Sequence, residues 1–239
     1  MCIFEERDYY MIGKAQKHVT CDNCKSRGES LFCTFKGDDL KNLDEVKSCS
    51  FIKKGQSLFI EGGIPRGVYC INDGKIKIYT RGEEGKEQII HLAKKGEIVG
   101  FRAMFSGDPY VVSAETLEES SVCFIAKSNF LKLIDTNTTL RDGILRELSS
   151  ELAERASFVT NMAQKSVRER LASVLLILDD IYDEDFINLS REDLANYVGT
   201  ATETLIRLLK DFKEDGVIKT HVRKIEIIDT NGLYNIAGI

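Results

Sequence analysis

Three cysteines lie within thirteen residues near the start of the chain, in the stretch CDNCKSRGESLFC from Cys21 to Cys33. Cys21 and Cys24 are separated by two residues, a spacing that lets two thiolates bind metal from one turn. The thiolate is the reactive and metal-binding form of cysteine, and nearby cations favour it. Such cations surround the motif, at Lys14, Lys17, His18, Lys25 and Arg27. The cluster therefore predicts metal or redox chemistry that needs a further ligand from elsewhere in the chain.

Several kinds of site use such a cluster. Four thiolates can hold an iron–sulfur cluster or a structural Zn²⁺, and cysteines without metal can act as a redox switch. A thioredoxin-like enzyme is not expected, because its CxxC motif follows a strand and opens a helix, whereas this motif lies in a polar segment. We expect a protein that is not an enzyme.

The composition is that of a soluble globular protein of 239 residues, 43% hydrophobic and 30% charged. No apolar run approaches the roughly 18 residues that a membrane span needs. The chain has seven cysteines and no sign of an export signal, so we expect reduced thiols in the cytoplasm. The net charge of −5 gives no hint of nucleic acid binding, and a case for it must come from local patterns.

The chain divides into four predicted parts. Residues 1–45 carry the cysteine cluster. In residues 46–135, short β-rich runs alternate with glycine turns, which predicts a β-roll of about eight strands. Residues 136–163 form a long helix, and residues 164–239 are mainly helical with a short strand near the end, in KIEII. The predicted fold class is α+β.

The long helix has a narrow apolar stripe with steps of three and four residues, which is a heptad seam. The stripe predicts a two-stranded dimer interface, and the alternative is one amphipathic helix packed on its own β domain. A charge on the seam would meet its copy across a dimer, so the interface is expected to be only marginally stable. The seam consists of Leu145, Leu148, Leu152, Arg155, Val159 and Met162.

The stretch LANYVGTATETLIRLL has the packing pattern of a helix-turn-helix. Gly199 allows the positive φ that the tight turn needs. Ser190 is predicted to cap the first helix, and the second helix is expected from about Thr202 to Glu214. The apolar positions are Leu194, Val198, Leu205 and Leu208.

Side chains on the second helix suit base recognition in DNA. Glu203 and Arg207 are four residues apart and share a face. Arginine can bind guanine through two hydrogen bonds, glutamate can accept from cytosine, and an apolar side chain can contact the thymine methyl. The alternatives are a capping box from Thr200 to Glu203 and an ion pair between Glu203 and Arg207. The predicted DNA-binding residues are Thr202, Glu203, Ile206, Arg207 and Lys210.

The β-roll, long helix and helix-turn-helix, in this order, resemble the CRP/FNR family of bacterial transcription regulators. Members that bind cyclic nucleotides have a Gly-Glu turn followed by an Arg-Ser pair that holds the cyclic phosphate. Here Gly96 and Glu97 are present, but Pro109 and Tyr110 stand at the place of the pair. Proline lacks an N–H and tyrosine lacks a fixed positive charge. Cyclic nucleotide binding is therefore not expected.

The cysteines resemble those of the oxygen-sensing FNR branch, which has an N-terminal cluster and a lone cysteine in a phrase like LExxxVCxIP. This chain has LEESSVCFIA, which places Cys123 there, and GEIVGFRAMFSG and LIRLL also look like FNR phrases. The resemblance implies a [4Fe-4S] cluster bound by Cys21, Cys24, Cys33 and Cys123. It further implies that the intact cluster stabilises a homodimer, which binds a palindromic site in double-stranded DNA and works with RNA polymerase.

Two alternatives remain open within this resemblance. The gap between Cys24 and Cys33 is longer than in the enterobacterial members, and Cys49 or Cys70 could take the place of Cys33. The chain could also be a regulator of the same fold that responds to nitric oxide, haem or another small ligand, with cysteines that bind zinc or no metal.

Overall fold

The computed structural model of the protein describes residues 20–183 and 186–239. The basic residues Lys14, Lys17 and His18 lie outside the described residues. The cysteine segment begins with two short 3₁₀ turns, Cys21–Asn23 and Arg27–Glu29, and continues into helix α1, Gly37–Val46. This segment is packed on the roll, because its side chains share one buried cluster with residues of later elements. The cluster includes Phe32, Phe35, Leu40, Leu43, Val68, Phe130 and Leu140.

A β-roll of eight strands follows, as predicted. The strands form two four-stranded antiparallel sheets, ordered β1-β8-β3-β6 and β2-β7-β4-β5. Alternate side chains of the two sheets meet in a buried layer. The strands are β1 (Lys47–Ile52), β2 (Ser57–Phe59), β3 (Gly67–Asp73), β4 (Ile76–Arg81), β5 (Glu87–Ala93), β6 (Ile98–Val99), β7 (Ser113–Thr116) and β8 (Ser120–Ala126).

Three helices complete the first half of the chain. Helix α2, Phe101–Ser106, lies between β6 and β7, and α3, Lys127–Thr136, follows β8. Helix α4, Thr138–Gln164, has 27 residues and is therefore about 40 Å long. The side chain of Asn137 caps α4 by accepting from the N–H of Leu140 at 2.9 Å. The predicted long helix is confirmed.

The C-terminal part is a winged helix-turn-helix. Ser190 caps the first helix of the motif by accepting from the N–H of Asp193, and Gly199 ends that helix with φ of +73°. These predictions and the predicted strand in KIEII are confirmed, whereas the capping box at Thr200 is wrong, because Ala201 precedes the second helix and makes no side-chain cap. The elements are α5 (Val167–Tyr182), α6 (Arg191–Val198), α7 (Thr202–Glu214), β9 (Ile218–His221), β10 (Lys224–Ile227) and α8 (Thr230–Ala237).

The winged helix-turn-helix is docked on the second sheet of the roll through its first motif helix, α6. The side-chain amide of Gln88 on β5 donates to the carbonyl of Asn196 at 2.7 Å. Beside it, Lys77 on β4 pairs with Asp193 of α6 at 3.0 Å. A continuous apolar cluster joins the two parts, with Tyr79, Ile89 and Leu92 from the roll and Leu171, Leu175 and Leu194 from the helices. The docked helix is α6, which leaves α7 directed outward.

Within the described parts of the chain, no helix is both long enough and apolar enough to cross a membrane.

Candidate functional site: the cysteine pocket and the reading helix

Three cysteines form a row across three neighbouring strands of the first sheet. Cys123 on β8 lies directly opposite Cys49 on β1 and directly opposite Cys70 on β3. Opposed residues of antiparallel strands project from the same face of the sheet. Cys49 and Cys123 are joined by a disulfide. The bond engages the sulfur of Cys123, the residue predicted as the fourth ligand, and the expectation of reduced thiols is wrong for these two cysteines.

The cysteine segment brings two more thiols over this row. Cys21, Cys24, Cys70 and Cys123 all line one small cavity between the segment and the sheet. The thiol of Cys24 donates to the side-chain oxygen of Asn72, on β3, at 3.1 Å. These four cysteines are the ones that the structure brings together.

Two acceptors from the body of the protein hold the segment in place. The backbone N–H of Cys21 donates to the carboxylate of Asp44, on α1, at 2.7 Å, and the other is the Asn72 oxygen that accepts from Cys24. Neither Asp44 nor Asn72 was found from the sequence, because both act through contacts with residues more than twenty positions away.

Cys33, the remaining predicted ligand, lies elsewhere. It is exposed, and it lines a separate groove with Phe101 of α2 and with Gly143 and Arg146 of α4. The structure therefore places three of the predicted ligands, Cys21, Cys24 and Cys123, around one cavity and leaves Cys33 outside that group.

Burial has the largest effect on the pKa values of the Cys21 and Cys70 thiols in the pocket. It raises the pKa of Cys21 to about 11, because desolvation outweighs the opposing effect of Lys47. Burial also raises the pKa of Cys70 to about 12, and the neighbouring Cys21 and Cys24 add to the rise. The cation that lowers the pKa of Cys21 is Lys47, which is not one of the basic residues named from the sequence, and its effect is smaller than that of burial. A metal that binds these groups must displace protons.

The donor set suits a soft metal centre. Four cysteines line the cavity, and no His, Asp or Glu is among the described residues of its lining. Arg27 and Lys47 on its wall would offset the charge of bound thiolates. Thiolates select iron–sulfur clusters, zinc or copper(I) over magnesium or calcium. In residues 20–183 and 186–239, no three Cys, His, Asp or Glu side chains are arranged to hold one metal ion. A thiolate-bound group would require Cys123 to be released from its disulfide first.

A second cavity, the roll cavity, has a volume of about 310 Å³ and lies between the roll, α2 and α4. Tyr110, at the place of the phosphate-binding pair, is buried and its ring stacks on Phe59 at 4.1 Å. Arg102 on the cavity wall pairs with Glu151 of α4 at 3.3 Å. This arginine of the cavity wall therefore already has a carboxylate partner.

The predicted seam of α4 is divided between two environments. Leu145, Leu152 and Val159 are 57%, 73% and 65% exposed. They are seven residues apart, so they form one row on the helix surface. Leu148 and Met162, at the intervening seam positions, are half-buried against other parts of the same chain. Some seam residues pack against their own chain. The others, Leu145, Leu152 and Val159, form a continuous row on the helix surface that no other part of the described chain covers; it is called the uncovered row.

Arg155 belongs to the half that faces its own chain. Its guanidinium donates to the carbonyl of Ile90 on β5. Burial lowers the pKa of Arg155, and the positive charge of Arg102 adds to that effect. The guanidinium of Arg155 is therefore not in the uncovered row. The predicted repulsion between two copies of Arg155 across a dimer requires it to be there.

The predicted reading residues share the outward face of α7. Glu203, Ile206, Arg207 and Lys210 are exposed and Thr202 is half-exposed. The opposite face holds the helix in the domain through the buried side chains of Leu205, Leu209 and Phe212. Among the described residues, no ion pair involves Glu203 or Arg207, so the alternative of an ion pair between them is wrong.

Comparisons with known proteins agree with this architecture. Residues 50–137 match the cyclic nucleotide-binding domain, and residues 169–236 match the Crp-like helix-turn-helix domain. The fumarate and nitrate reduction regulatory protein of Vibrio cholerae is 31% identical over 229 residues, which is 92% of this chain and 91% of that protein. The transcriptional activator protein FnrA of Stutzerimonas stutzeri is 28% identical over 94% of this chain and 95% of its own length. The solved structure of FixK2 from Bradyrhizobium japonicum has a TM-score of 0.73 at 22% identity, over 80% of this chain and 97% of that one.

Proposed function

The chain belongs to the CRP/FNR family of DNA-binding transcription regulators and is not an enzyme, and we propose that it senses oxygen through a [4Fe-4S] cluster held by its cysteines. One observation carries the proposal: four cysteines from the N-terminal segment, β3 and β8 line a single cavity whose wall also has two cations. When bound, such a cluster supplies a redox-active centre that depends on intact thiolate ligands.

The residues of the pocket have distinct roles in this proposal. Cys21, Cys24 and Cys123 supply thiolates, and the resemblance assigns the fourth to Cys33. Asp44 orients Cys21, because its carboxylate accepts from the backbone N–H of that residue. The bond from the Cys24 thiol to Asn72 is lost when Cys24 becomes a thiolate, so Asn72 places Cys24 over the cavity only in the protonated state.

The cysteine segment also touches the start of α4, which provides a route to dimerisation. Leu31 lies so close to α4 that a Cβ at Gly143 would be 3.1 Å from its side chain. The amide of Asn137, which caps α4, donates to Asp39 of α1 at 3.0 Å. A change in the segment on cluster binding or loss therefore acts on the helix that carries Leu145, Leu152 and Val159. We infer that this uncovered row forms the homodimer seam and that the bound cluster favours the dimer.

A dimer would present two α7 helices to successive major grooves of a palindromic DNA site. Arg207 and Glu203 would read bases, and Ile206 would contact a thymine methyl. Basic side chains at the helix end and on the wing would bind phosphates. RNA polymerase is the further partner implied for a transcription regulator. The basic residues are Lys210, Lys213, Lys219, His221, Arg223 and Lys224.

Arg207→Ala should weaken binding to the cognate site by about 5- to 150-fold, because a bidentate contact to guanine contributes about 1–3 kcal/mol of discrimination. Binding to unrelated duplexes should change much less. Fluorescence anisotropy at fixed salt, with a half-site obtained by selection and a scrambled duplex, measures both. Lys219→Ala, which removes a wing charge, is the matched control and should weaken binding to both duplexes alike. Equal losses on both duplexes for Arg207→Ala would contradict base reading.

Protein purified without oxygen should contain about four irons and about four acid-labile sulfides per chain, with a visible band that bleaches in air. Iron, sulfide and zinc analysis on the same sample tests this. A sample with zinc and no sulfide would instead make the cysteines a structural zinc site and contradict the proposed sensor.

The roll cavity supports a second candidate, a regulator of the same fold that responds to a small ligand such as nitric oxide or haem while its cysteines bind zinc or no metal. The supporting observation is the volume of about 310 Å³ beneath α2, with Tyr110 and Phe59 on its wall. Cys21→Ser separates the two functions. A cluster sensor would lose its response to oxygen, whereas a sensor acting through the roll cavity would keep its response.

A further inference from the structure

We propose that Cys70, and not Cys33, supplies the fourth thiolate of the cysteine pocket, beside Cys21, Cys24 and Cys123. This inference rests on the proposed function, in which that pocket holds an iron–sulfur cluster. It differs from the ligand set implied by the family resemblance, and it follows from where the strands and the segment place each sulfur.

The strand register puts Cys70 next to Cys123. The two residues are directly opposed across the β3–β8 pair. Opposed residues of antiparallel strands have Cα atoms about 4.5–5.5 Å apart and side chains on one face. Two thiolates in that relation can bind neighbouring irons of one cluster without a change in the sheet.

The segment puts Cys24 over the same part of β3. Its thiol donates to Asn72, which lies two residues after Cys70 on β3, and both residues line the same cavity. Cys21 lines the same cavity on the side of α1. Cys70 is thus flanked by Cys123 along the sheet and by the CxxC pair above the sheet.

Cys33 is held away by its neighbours. Phe32 and Phe35 are buried, and their rings contact each other edge to face at 5.3 Å. The guanidinium of Arg27 donates to the carbonyl of Phe35 at 3.1 Å and fixes the same turn. Turning Cys33 toward the pocket would withdraw these aromatic side chains from the core.

Cys49 lies on the far side of Cys123, since the strand order is β1-β8-β3, and it does not line the cavity. Its disulfide with Cys123 must open before Cys123 can act as a ligand. A dithiol reductant supplies the two electrons and two protons that convert the disulfide to two thiols, and the reductant becomes a disulfide. The Cys123 proton then leaves on metal binding.

The test compares Cys33→Ser, Cys49→Ser and Cys70→Ser with the unsubstituted full-length chain. Each is purified without oxygen, reduced with a dithiol and reconstituted with ferrous iron and sulfide. Iron and sulfide per chain, and the visible and electron paramagnetic resonance spectra, are the readouts. We expect Cys33→Ser and Cys49→Ser to match the unsubstituted chain and Cys70→Ser to lose at least about half of its iron and sulfide.

A second measurement does not depend on whether Cys70→Ser folds. The loaded, unsubstituted chain is treated with iodoacetamide and digested, and the alkylated cysteines are identified by mass spectrometry. Cys33 should react at once in the loaded chain, whereas Cys70, which burial also shields, should react only after the cluster is removed and the chain is unfolded. Protection of Cys33 with reaction at Cys70, or loss of iron in Cys33→Ser but not in Cys70→Ser, would overturn the inference and leave the sensor intact. An unsubstituted chain without iron or sulfide would overturn the proposed function and this inference together.

Discussion

Leu152→Glu is expected to abolish dimerisation and to weaken binding to a palindromic site by more than about 100-fold. Leu152 is the centre of the uncovered row on α4 and is 73% exposed in the single chain. Burying one leucine stabilises an interface by about 1.5–3 kcal/mol, and a two-fold interface contains two copies. The substitution removes both and sets two unpaired carboxylates against each other. The summed loss exceeds about 3 kcal/mol, which is more than a hundredfold in binding.

Sedimentation equilibrium and DNA anisotropy on cluster-loaded protein measure the effect. Ser150→Glu is the matched control, because Ser150 is exposed on α4 but lies off the row. It adds the same charge and should leave the dimer intact. The thermal midpoint of the single chain should be nearly the same for both variants, because Leu152 is not in its core. A dimer that persists in Leu152→Glu would show that another surface forms the seam.

Lys77→Met is expected to lower the free energy of unfolding by about 3–5 kcal/mol and to loosen the winged helix-turn-helix from the roll. The ammonium of Lys77 is buried and pairs with Glu87 at 2.9 Å, Asp193 at 3.0 Å and Glu115 at 3.4 Å. Burial alone would lower the pKa of Lys77, but hydrogen bonds to Glu87 and Asp193 outweigh it and hold the pKa above its ordinary value. Without the ammonium, three carboxylates would share a desolvated space with no cation at their centre.

Urea denaturation measures this loss, and limited proteolysis reports the loosened domain. Lys94→Met is the control, because Lys94 also joins the roll to α5, through Asp180 at 2.7 Å, but at an exposed site. Exposed pairs contribute about 0–1 kcal/mol. Equal losses in the two variants would mean that the Lys77 cluster does not hold the domains together.

The same cluster gives a pH dependence with a definite sign. Burial raises the pKa of Glu87, but hydrogen bonds from Lys77 and Arg81 outweigh it, so its pKa in the folded chain is below the ordinary value. The stability that this carboxylate contributes is therefore complete above its unfolded pKa of about 4.3. It is lost as the pH falls below that value and through the lower folded pKa. Lys77→Met lacks the part of this stabilisation that comes from Lys77, so its deficit in stability relative to the unsubstituted chain should shrink in acid.

The order of elements was predictable because each part has a local signal. Glycine turns between β-rich runs marked the roll, and Gly199 with its flanking apolar residues marked the helix-turn-helix. The two interpretations of the α4 seam, a dimer interface or an amphipathic helix packed on its own domain, could not be separated in the sequence. In the structure, alternate seam positions face different ways: Leu152 is exposed, whereas Arg155 contacts the roll. Which positions of α4 are covered by the same chain depends on the fold of the roll, which the sequence of the helix alone does not show.

Only the part of the cysteine site that has a local signal could be predicted from the sequence. The CxxC motif is local, and the phrase around Cys123 resembles a known family, so both were found. The row of Cys49, Cys70 and Cys123 depends on strand register between residues far apart in the chain. The outward position of Cys33 depends on which side of its turn is buried, and this is decided by the packing of the aromatic side chains beside it.

Strand β5 carries two attachments within three residues. The side chain of Gln88 holds the end of α6, and the carbonyl of Ile90 holds Arg155 of α4. A hydrogen-bonded strand has an almost fixed length. The long helix and the helix-turn-helix are both attached to it, so we expect their positions relative to each other to be nearly fixed. The separation of the two α7 helices in a dimer is then fixed by how the α4 helices cross. We therefore expect the affinity for DNA to depend on the distance between the two half-sites. Changes in the bases between them should have little effect, whereas one base pair added to or removed from the spacing should weaken binding.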